Sequence, residues 1–174
     1  MTTAAGRVPD VSELADRAAI EEILALHCRG VDRADEAALK HCYWPDATTA
    51  YGEAAVLAHP FCSQLVSAIK AYRQTHHMVT NSLFVFDGDR AKVETILLAF
   101  HYMVNDDGDD NEMTYLGRYL DDFEKRDHVW KIKHREPIMS WSQNGSATHD
   151  ADHPALSALR RAKRYPDDPI YETD

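Results

Sequence analysis

The chain has 174 residues, of which 44% are hydrophobic and 28% are charged, and its formal net charge is −10. This length and apolar fraction are typical of one domain with a substantial core, and the negative charge argues against a nucleic-acid partner, which needs clustered Lys and Arg. No apolar run approaches the roughly 20 residues that span a bilayer, and no signal-peptide pattern opens the chain. We therefore predict a cytoplasmic protein without a membrane or nucleic-acid partner.

The first half of the chain has the apolar spacing of helices. Residues 1–11 are predicted to be a flexible tail, and Ser12 is the predicted N-cap of a helix that ends near Arg33. A second helix is predicted from Glu36 to Tyr43, with Asp35 as its cap and Trp44-Pro45 as its stop. A short strand candidate at Thr48–Tyr51 precedes a third helix, predicted from Pro60 to Arg73. Its predicted buried stripe consists of Phe61, Leu65, Ala68, Ile69 and Tyr72.

After Gln74 the apolar period changes to that of strands. Four strands are predicted, at 77–86, 92–104, 113–124 and 129–141, joined by tight turns at 87–89, 106–110 and 126–128. The acidic turn at 106–110 lacks the distal Glu and the spacing of a calcium loop, so a solvated hairpin tip is favoured. Residues 143–174 are predicted to be a C-terminal extension with a short helix at Pro154–Arg161, and the basic run at 160–164 is predicted to be a solvated helix face.

Helices followed by a meander of long strands predict an α+β domain over residues 12–142. In such a cone-shaped α+β barrel, the N-terminal helices pack on a curved, mainly antiparallel sheet. The open end of the cone encloses a pocket, which is a common place for a ligand.

The strongest chemical signal is a possible pair between Asp32 and a histidine. Asp32 lies at the C-terminal end of the first helix, where the macrodipole disfavours a carboxylate, so its position requires a partner. His76 and His77 open the first long strand, and only one of them can face the pocket. Strand alternation does not choose between them, because both faces of this segment are mixed in polarity. A carboxylate behind a histidine fixes the tautomer and stabilises the imidazolium, as a general base requires.

Further polar residues lie where a pocket wall is expected. His27 is on the apolar stripe of the first helix, His101 interrupts an apolar strand, and Arg118 and Arg135 belong to the later strands. Tyr51, at the end of the short strand candidate, completes the predicted substrate-pocket set. The ten histidines include no helical H-x-x-x-H pair, and the three cysteines, Cys28, Cys42 and Cys62, have no metal-site spacing, so we predict neither a metal nor another cofactor.

Three groups of residues carry a resemblance to a known family. They are residues 17–20 with 30–33 and 43–47, the pattern His77-x-x-Thr80-Asn81, and residues 119–131 with their strand-Arg-Asp-x-x-Trp ending. Over roughly residues 14–141 the chain resembles SnoaL-like proteins of the nuclear transport factor 2-like superfamily. Within it, the chain is similar to hexachlorocyclohexane dehydrochlorinases and, more distantly, to scytalone dehydratases.

That resemblance implies a cofactor-independent His–Asp dyad for proton abstraction and elimination. The dyad positions fall on His77 and Asp32, and an arginine that assists the leaving group falls on Arg135. A pocket lysine of the dehydrochlorinases falls on His27, which puts dechlorination of the same substrate in doubt.

We expect a lyase or dehydratase for a small apolar, cyclic or aromatic substrate, in a homodimer or homotrimer. The alternatives are a SnoaL-type isomerase or cyclase, and a non-catalytic binding or dioxygenase-β-subunit-like assembly domain.

Overall fold

A computed structural model describes residues 6–105, 107–148 and 153–172 of the protein. Residues 1–5 of the predicted tail, Asp106 of the predicted acidic turn, and residues 149–152 and 173–174 of the predicted extension lie outside the described residues. None of the described helices is both long and apolar enough to cross a membrane.

Three helices precede the four long strands, as predicted: α1 (Val11–Arg33), α2 (Glu36–His41) and α3 (Ala58–Ile69). Asp10 rather than Ser12 caps α1, because the Asp10 carboxylate accepts a hydrogen bond from the Glu13 amide at 2.8 Å. Asp35 caps α2 as predicted, accepting from the Ala38 amide at 2.9 Å.

Six strands form one sheet: β1 (Tyr43–Thr49), β2 (Val56–Leu57), β3 (Gln74–Asp87), β4 (Arg90–Val104), β5 (Asp110–Arg126) and β6 (Val129–Ser146). Their order is β2-β1-β6-β5-β4-β3, and every pair is antiparallel except β1 with β6. Trp44-Pro45 lies inside β1 instead of stopping a helix. The register between β1 and β6 shifts between Tyr43 and Thr48, and this irregularity accommodates a proline that cannot donate to the ladder.

A bulge in β3 decides which side chains face inward. Val79 pairs with Leu97 and Ser82 pairs with Thr95, so two residues of β3, Thr80 and Asn81, lie opposite the single Ile96 of β4. Before the bulge the inward side chains are those of Thr75, His77 and Val79, and after it the inward set changes parity to include Phe84. This change of parity is why alternation along the sequence gave no answer for His76 and His77.

The apolar core lies between the helices and the concave face of the sheet. Ile20 and Leu24 of α1, Leu39 of α2, and Phe123 and Ile132 of the sheet are fully or almost fully buried. The three cysteines are free and buried in or beside this core.

The C-terminal residues differ from the sequence-based prediction. β6 continues past Trp141 to Ser146, because its ladder with β5 extends to the Asn111–Ser146 pair. The predicted helix at Pro154–Arg161 is a single 3₁₀ turn, Pro154–Leu156. The basic run is not a solvated helix face throughout, since Arg164 is partly buried against the ends of α1 and α3.

Candidate active site

Asp32 and His77 form a close pair where the last turn of α1 meets the first residues of β3. The Asp32 Oδ1 atom lies 2.7 Å from His77 Nδ1, and Oδ2 accepts a second hydrogen bond from the His77 backbone amide at 2.9 Å. Asp32 is only 4% exposed. The carboxylate therefore holds the histidine by ring and backbone together, which fixes both the position and the rotation of the imidazole.

This geometry assigns the tautomer of the neutral imidazole. Both Asp32 oxygens are acceptors, so His77 Nδ1 carries the proton that is donated to Asp32. His77 Nε2 is then unprotonated and forms no hydrogen bond among the described residues. A ring nitrogen with a free lone pair, backed by a carboxylate, is the arrangement of a general base.

His77 opens onto a cavity of about 270 Å³ that lies between α3 and the concave face of the sheet. Its wall combines aliphatic and aromatic side chains with few polar groups. The lining residues include Val31, Leu65, Ile69, Tyr72, Leu97 and Met113. Most of the residues predicted to form the buried stripe of α3 line this cavity instead. The buried face of α3 is formed by Ala58, Cys62, Val66 and Ile69.

Two tyrosines place hydroxyl groups in the wall. Tyr51 and Tyr119 both line the cavity, and their side chains are hydrogen-bonded to each other. Burial raises the pKa of Tyr119 well above its ordinary value, and the neighbouring Tyr51 adds to this; burial likewise raises the pKa of Tyr51. Both phenols therefore stay protonated near neutral pH. One of the two hydroxyl hydrogens is used in the hydrogen bond between them, and the other can be donated to a ligand oxygen.

His101 is the second histidine of the cavity wall. Its ring meets the His77 ring edge to face, with centroids 5.2 Å apart. Burial and the positive charge that His77 can carry lower the pKa of His101 to about 4. His101 is therefore neutral near pH 7, and it lies beside the dyad without adding a positive charge.

His27 lies behind the cavity wall rather than in it. It is 2% exposed, its Nε2 atom lies 3.0 Å from the Tyr43 hydroxyl, and its ring packs against Tyr119. Burial, helped by the charge of Arg135, lowers its pKa well below the ordinary value. His27 thus supports Tyr119 as a neutral, buried side chain.

Neither predicted arginine reaches the cavity. Arg135 is fully buried and forms a bidentate ion pair with Asp121, with two N–O distances of 2.7 Å, while its guanidinium covers the Tyr119 ring at 3.8 Å. Arg118 points from the opposite face of β5, where it approaches Glu94 at 3.4 Å. Strand alternation explains this, because the neighbouring Tyr119 takes the inward position.

The sequence-based reasoning missed Tyr115 and Gly117. A Cβ atom on Gly117 would lie 2.4 Å from the Ile138 carbonyl oxygen and 2.7 Å from the Tyr115 hydroxyl, so the absent side chain makes room for the Tyr115 ring in the wall. A glycine inside a long strand was the available signal, since it often marks a close approach.

Comparison with known proteins places the fold. Residues 12–136 match the SnoaL-like domain family. A type 2 hexachlorocyclohexane dehydrochlorinase superposes with a TM-score of 0.73 at 24% identity, over 84% of this chain and 99% of that one. A scytalone dehydratase candidate from Novosphingobium aromaticivorans superposes with a TM-score of 0.68 at 20% identity, over 88% of this chain and 95% of that one.

The β subunit of a candidate aromatic-ring-hydroxylating dioxygenase from the same organism matches with a TM-score of 0.59 at 17% identity, over 76% of this chain and 93% of that one. No curated protein sequence matches the chain. At these identities the similar structures show the fold alone. Because the family match spans well over half of the chain, the protein belongs to the SnoaL-like domain family and has the nuclear transport factor 2-like fold.

Proposed function

We propose that the protein is a cofactor-independent lyase of the dehydratase type, with His77 as general base and Asp32 as its orienting carboxylate. The observation that carries this proposal is the 2.7 Å contact between Asp32 Oδ1 and His77 Nδ1 beside a cavity that His77 lines. A positioned base contributes about 10²–10⁴-fold to a proton abstraction.

The cavity supports a small apolar ring as the substrate. Its volume of about 270 Å³ is slightly below the usual range for drug-sized ligands, roughly 300–1,000 Å³. Tyr72 and Tyr115 contribute aromatic rings to the wall, while Leu65 and Leu97 add aliphatic contact. A flat or puckered six-membered ring suits these walls better than a charged or extended molecule.

The phenols of Tyr51 and Tyr119 favour a substrate with a carbonyl group. A proton next to a carbonyl becomes acidic only if the developing oxyanion is stabilised, and hydrogen-bond donors held in a buried site are effective stabilisers. A protonated phenol that lines the same cavity as a histidine base provides this complementarity.

The proposed reaction is a β-elimination of water from a β-hydroxy carbonyl compound. His77 Nε2 takes the proton from the carbon next to the carbonyl, and the electron pair moves into the carbonyl to give an enolate held by the phenol. The enolate then re-forms the carbonyl and a carbon–carbon double bond as the β-carbon–oxygen bond breaks. The leaving hydroxide takes the proton back from the His77 imidazolium and departs as water, which restores neutral His77.

The test is turnover of a panel of alicyclic and benzo-fused β-hydroxy ketones, followed by the ultraviolet absorbance of the conjugated product. We expect one or more members to be dehydrated by the wild-type protein and not by the His77→Gln variant. His76→Gln is the matched control, because His76 is exposed on the outer face of the same strand. Equal turnover by wild type and His77→Gln would remove His77 from the mechanism, and no turnover of any member would refute the proposed substrate class.

We also propose that a second copy of the chain covers the outer face of the sheet. The pairing of the strands aligns an apolar row across it, formed by Met78, Leu98, Leu116 and Trp141. Trp141 and Met78 are 46% and 36% exposed, and contiguous exposed apolar surface is typical of protein interfaces. We expect a homo-oligomer in light scattering, and a monomer for Trp141→Glu; a monomeric wild type would refute the proposal.

A further inference from the structure

A segment beyond the family match packs against the dyad from behind. This C-terminal strap, residues 163–171, reaches the end of α1 through its own backbone, since the Tyr165 amide donates to the Arg33 carbonyl at 2.6 Å. Asp168 forms an ion pair with Arg33 at 3.1 Å, and the Tyr171 hydroxyl donates to Asp35 Oδ2 at 2.8 Å. The strap is therefore held at several points to the turn that follows Asp32.

Arg164 is the strap residue that joins the elements around the dyad. Its Nη1 atom donates to the backbone carbonyl of Asp32 and, at 3.1 Å, to the Thr75 hydroxyl. Its Nη2 atom lies 3.5 Å from the Ile69 carbonyl oxygen and 3.3 Å from that of Tyr72. One guanidinium thus touches the end of α1, the end of α3 and the start of β3.

These contacts answer an electrostatic problem that the position of Asp32 creates. The last carbonyls of a helix have no intrahelical partner, and the C-terminal end of a helix carries a partial negative charge. A buried carboxylate at that end of α1 is disfavoured unless a cation is near. Arg164 supplies that cation while it satisfies the Asp32 carbonyl, and its planar fork suits several acceptors at once.

We propose that Arg164 is a positioning residue for the Asp32–His77 pair. It fixes the Asp32 backbone and Thr75, two residues before His77, so that both carboxylate oxygens meet both N–H groups of His77. Arg164 lies behind the dyad and does not line the cavity that His77 faces. The importance of this role for turnover rests on the proposed function, whereas the positioning itself is a property of the protein without ligand.

The test measures the dyad directly in the full-length, ligand-free protein. In Arg164→Met we expect the His77 amide, which donates to Asp32 Oδ2, to exchange with solvent about tenfold faster than in wild type, relative to the amide of core residue Val93. Long-range ¹H–¹⁵N spectra should show His77 only with a proton on Nδ1 in wild type. In the variant we expect a second population with the proton on Nε2. Arg164→Lys, which keeps the charge, should give an intermediate exchange rate.

Arg160→Met is the matched control. It also removes a guanidinium close to the strap in sequence, but Arg160 pairs with the exposed Glu172 and not with the elements around the dyad. It should leave His77 exchange within a factor of two of wild type. If Arg164→Met does not fold, Thr75→Val removes one Arg164 contact with little change of shape and should accelerate His77 exchange in the same sense. Unchanged His77 exchange and a single tautomer in the folded variant would overturn the proposal.

These readouts need no substrate, so they separate the two proposals. A panel without any turnover counts against the dehydratase and leaves the positioning result standing. Turnover together with an undisturbed dyad in Arg164→Met keeps the dehydratase and removes the role of Arg164.

Discussion

Asp32→Asn isolates what the carboxylate contributes to the dyad. Asp32 accepts from His77 Nδ1 at 2.7 Å and from the His77 amide at 2.9 Å, so both of its oxygens are acceptors. Asparagine has one acceptor oxygen and one donor nitrogen. If its oxygen keeps the backbone amide, its NH₂ group faces Nδ1, which can then only accept. The variant therefore drives the His77 proton from Nδ1 to Nε2 and blocks the nitrogen that faces the cavity.

The cost in stability should be modest. A hydrogen bond to an ionised group contributes about 1.5–3 kcal/mol to the free energy of unfolding. Removing the negative charge from the negative end of α1 stabilises the folded chain by roughly 0.5 kcal/mol, which offsets part of that loss. We expect a net loss of about 1–2 kcal/mol in the free energy of unfolding, or roughly 2–8 °C in Tm for a chain of this size. The cost in rate should be far larger, about 10²–10⁴-fold, because the base is held in the wrong tautomer.

The assays are the ¹⁵N tautomer spectrum of His77, thermal unfolding, and dehydration of whichever panel compound is turned over. Asp35→Asn is the control, since Asp35 is a buried carboxylate next to the same turn that does not contact His77 and asparagine is also a good N-cap. A variant in which His77 keeps its proton on Nδ1 and the rate falls less than threefold would refute this account of Asp32.

Three further predictions follow from buried groups. Burial lowers the pKa of His101 to about 4 in the folded chain, so His101 takes up a proton on unfolding between pH 4 and 6.5. The free energy of unfolding should therefore fall by about 2 kcal/mol as the pH is lowered from 6.5 to 4, a value reduced to allow for the partial exposure of His101. His101→Leu should flatten this slope in urea titrations, whereas His76→Gln should not; an unchanged slope in the first variant would contradict the assignment. Asp121→Asn should lower the free energy of unfolding by about 3–5 kcal/mol, because it leaves the buried Arg135 charge without a partner. In chemical denaturation, the double variant with Arg135→Met should recover most of that loss. Gly117→Ala should cost about 1–3 kcal/mol through contact with the Ile138 carbonyl, while Gly52→Ala, which meets nothing within 4 Å, should be neutral.

Much of the fold could be predicted because local signals agreed with it. The Asp35 cap, the glycine turn at 87–89 and the turn at 126–128 each depend on a few adjacent residues, and all are present. The α+β class followed from the change of period after Gln74. The location of Trp44-Pro45 in a strand could not be predicted, because the parallel partner strand β6 is almost 90 residues away in the chain.

The site was predictable in its chemistry and less so in its geometry. The argument that a carboxylate at the end of α1 requires a partner led to Asp32, and the partner is His77. Strand alternation could not choose between His77 and His76, because the bulge in β3 has no signature in the residue types. The resemblance to a family supplied the choice of His77. Arg118 and Arg135 were predicted from residue type, but strand alternation and a buried partner exclude them from the cavity.

Two acid–base pairs among the described residues have both side chains buried, and the difference between them identifies the reactive pair. In the Arg135–Asp121 pair the guanidinium binds both carboxylate oxygens, and no atom able to accept a proton faces the cavity. In the Asp32–His77 pair the carboxylate is equally saturated, but its partner has a second ring nitrogen on the far side. Burial of charge alone would have ranked the arginine pair first, since both of its side chains are fully buried. A general base needs one atom held in place and another atom free to accept a proton. In His77 these are Nδ1 and Nε2, and His77 lies beside a cavity large enough for a small ring.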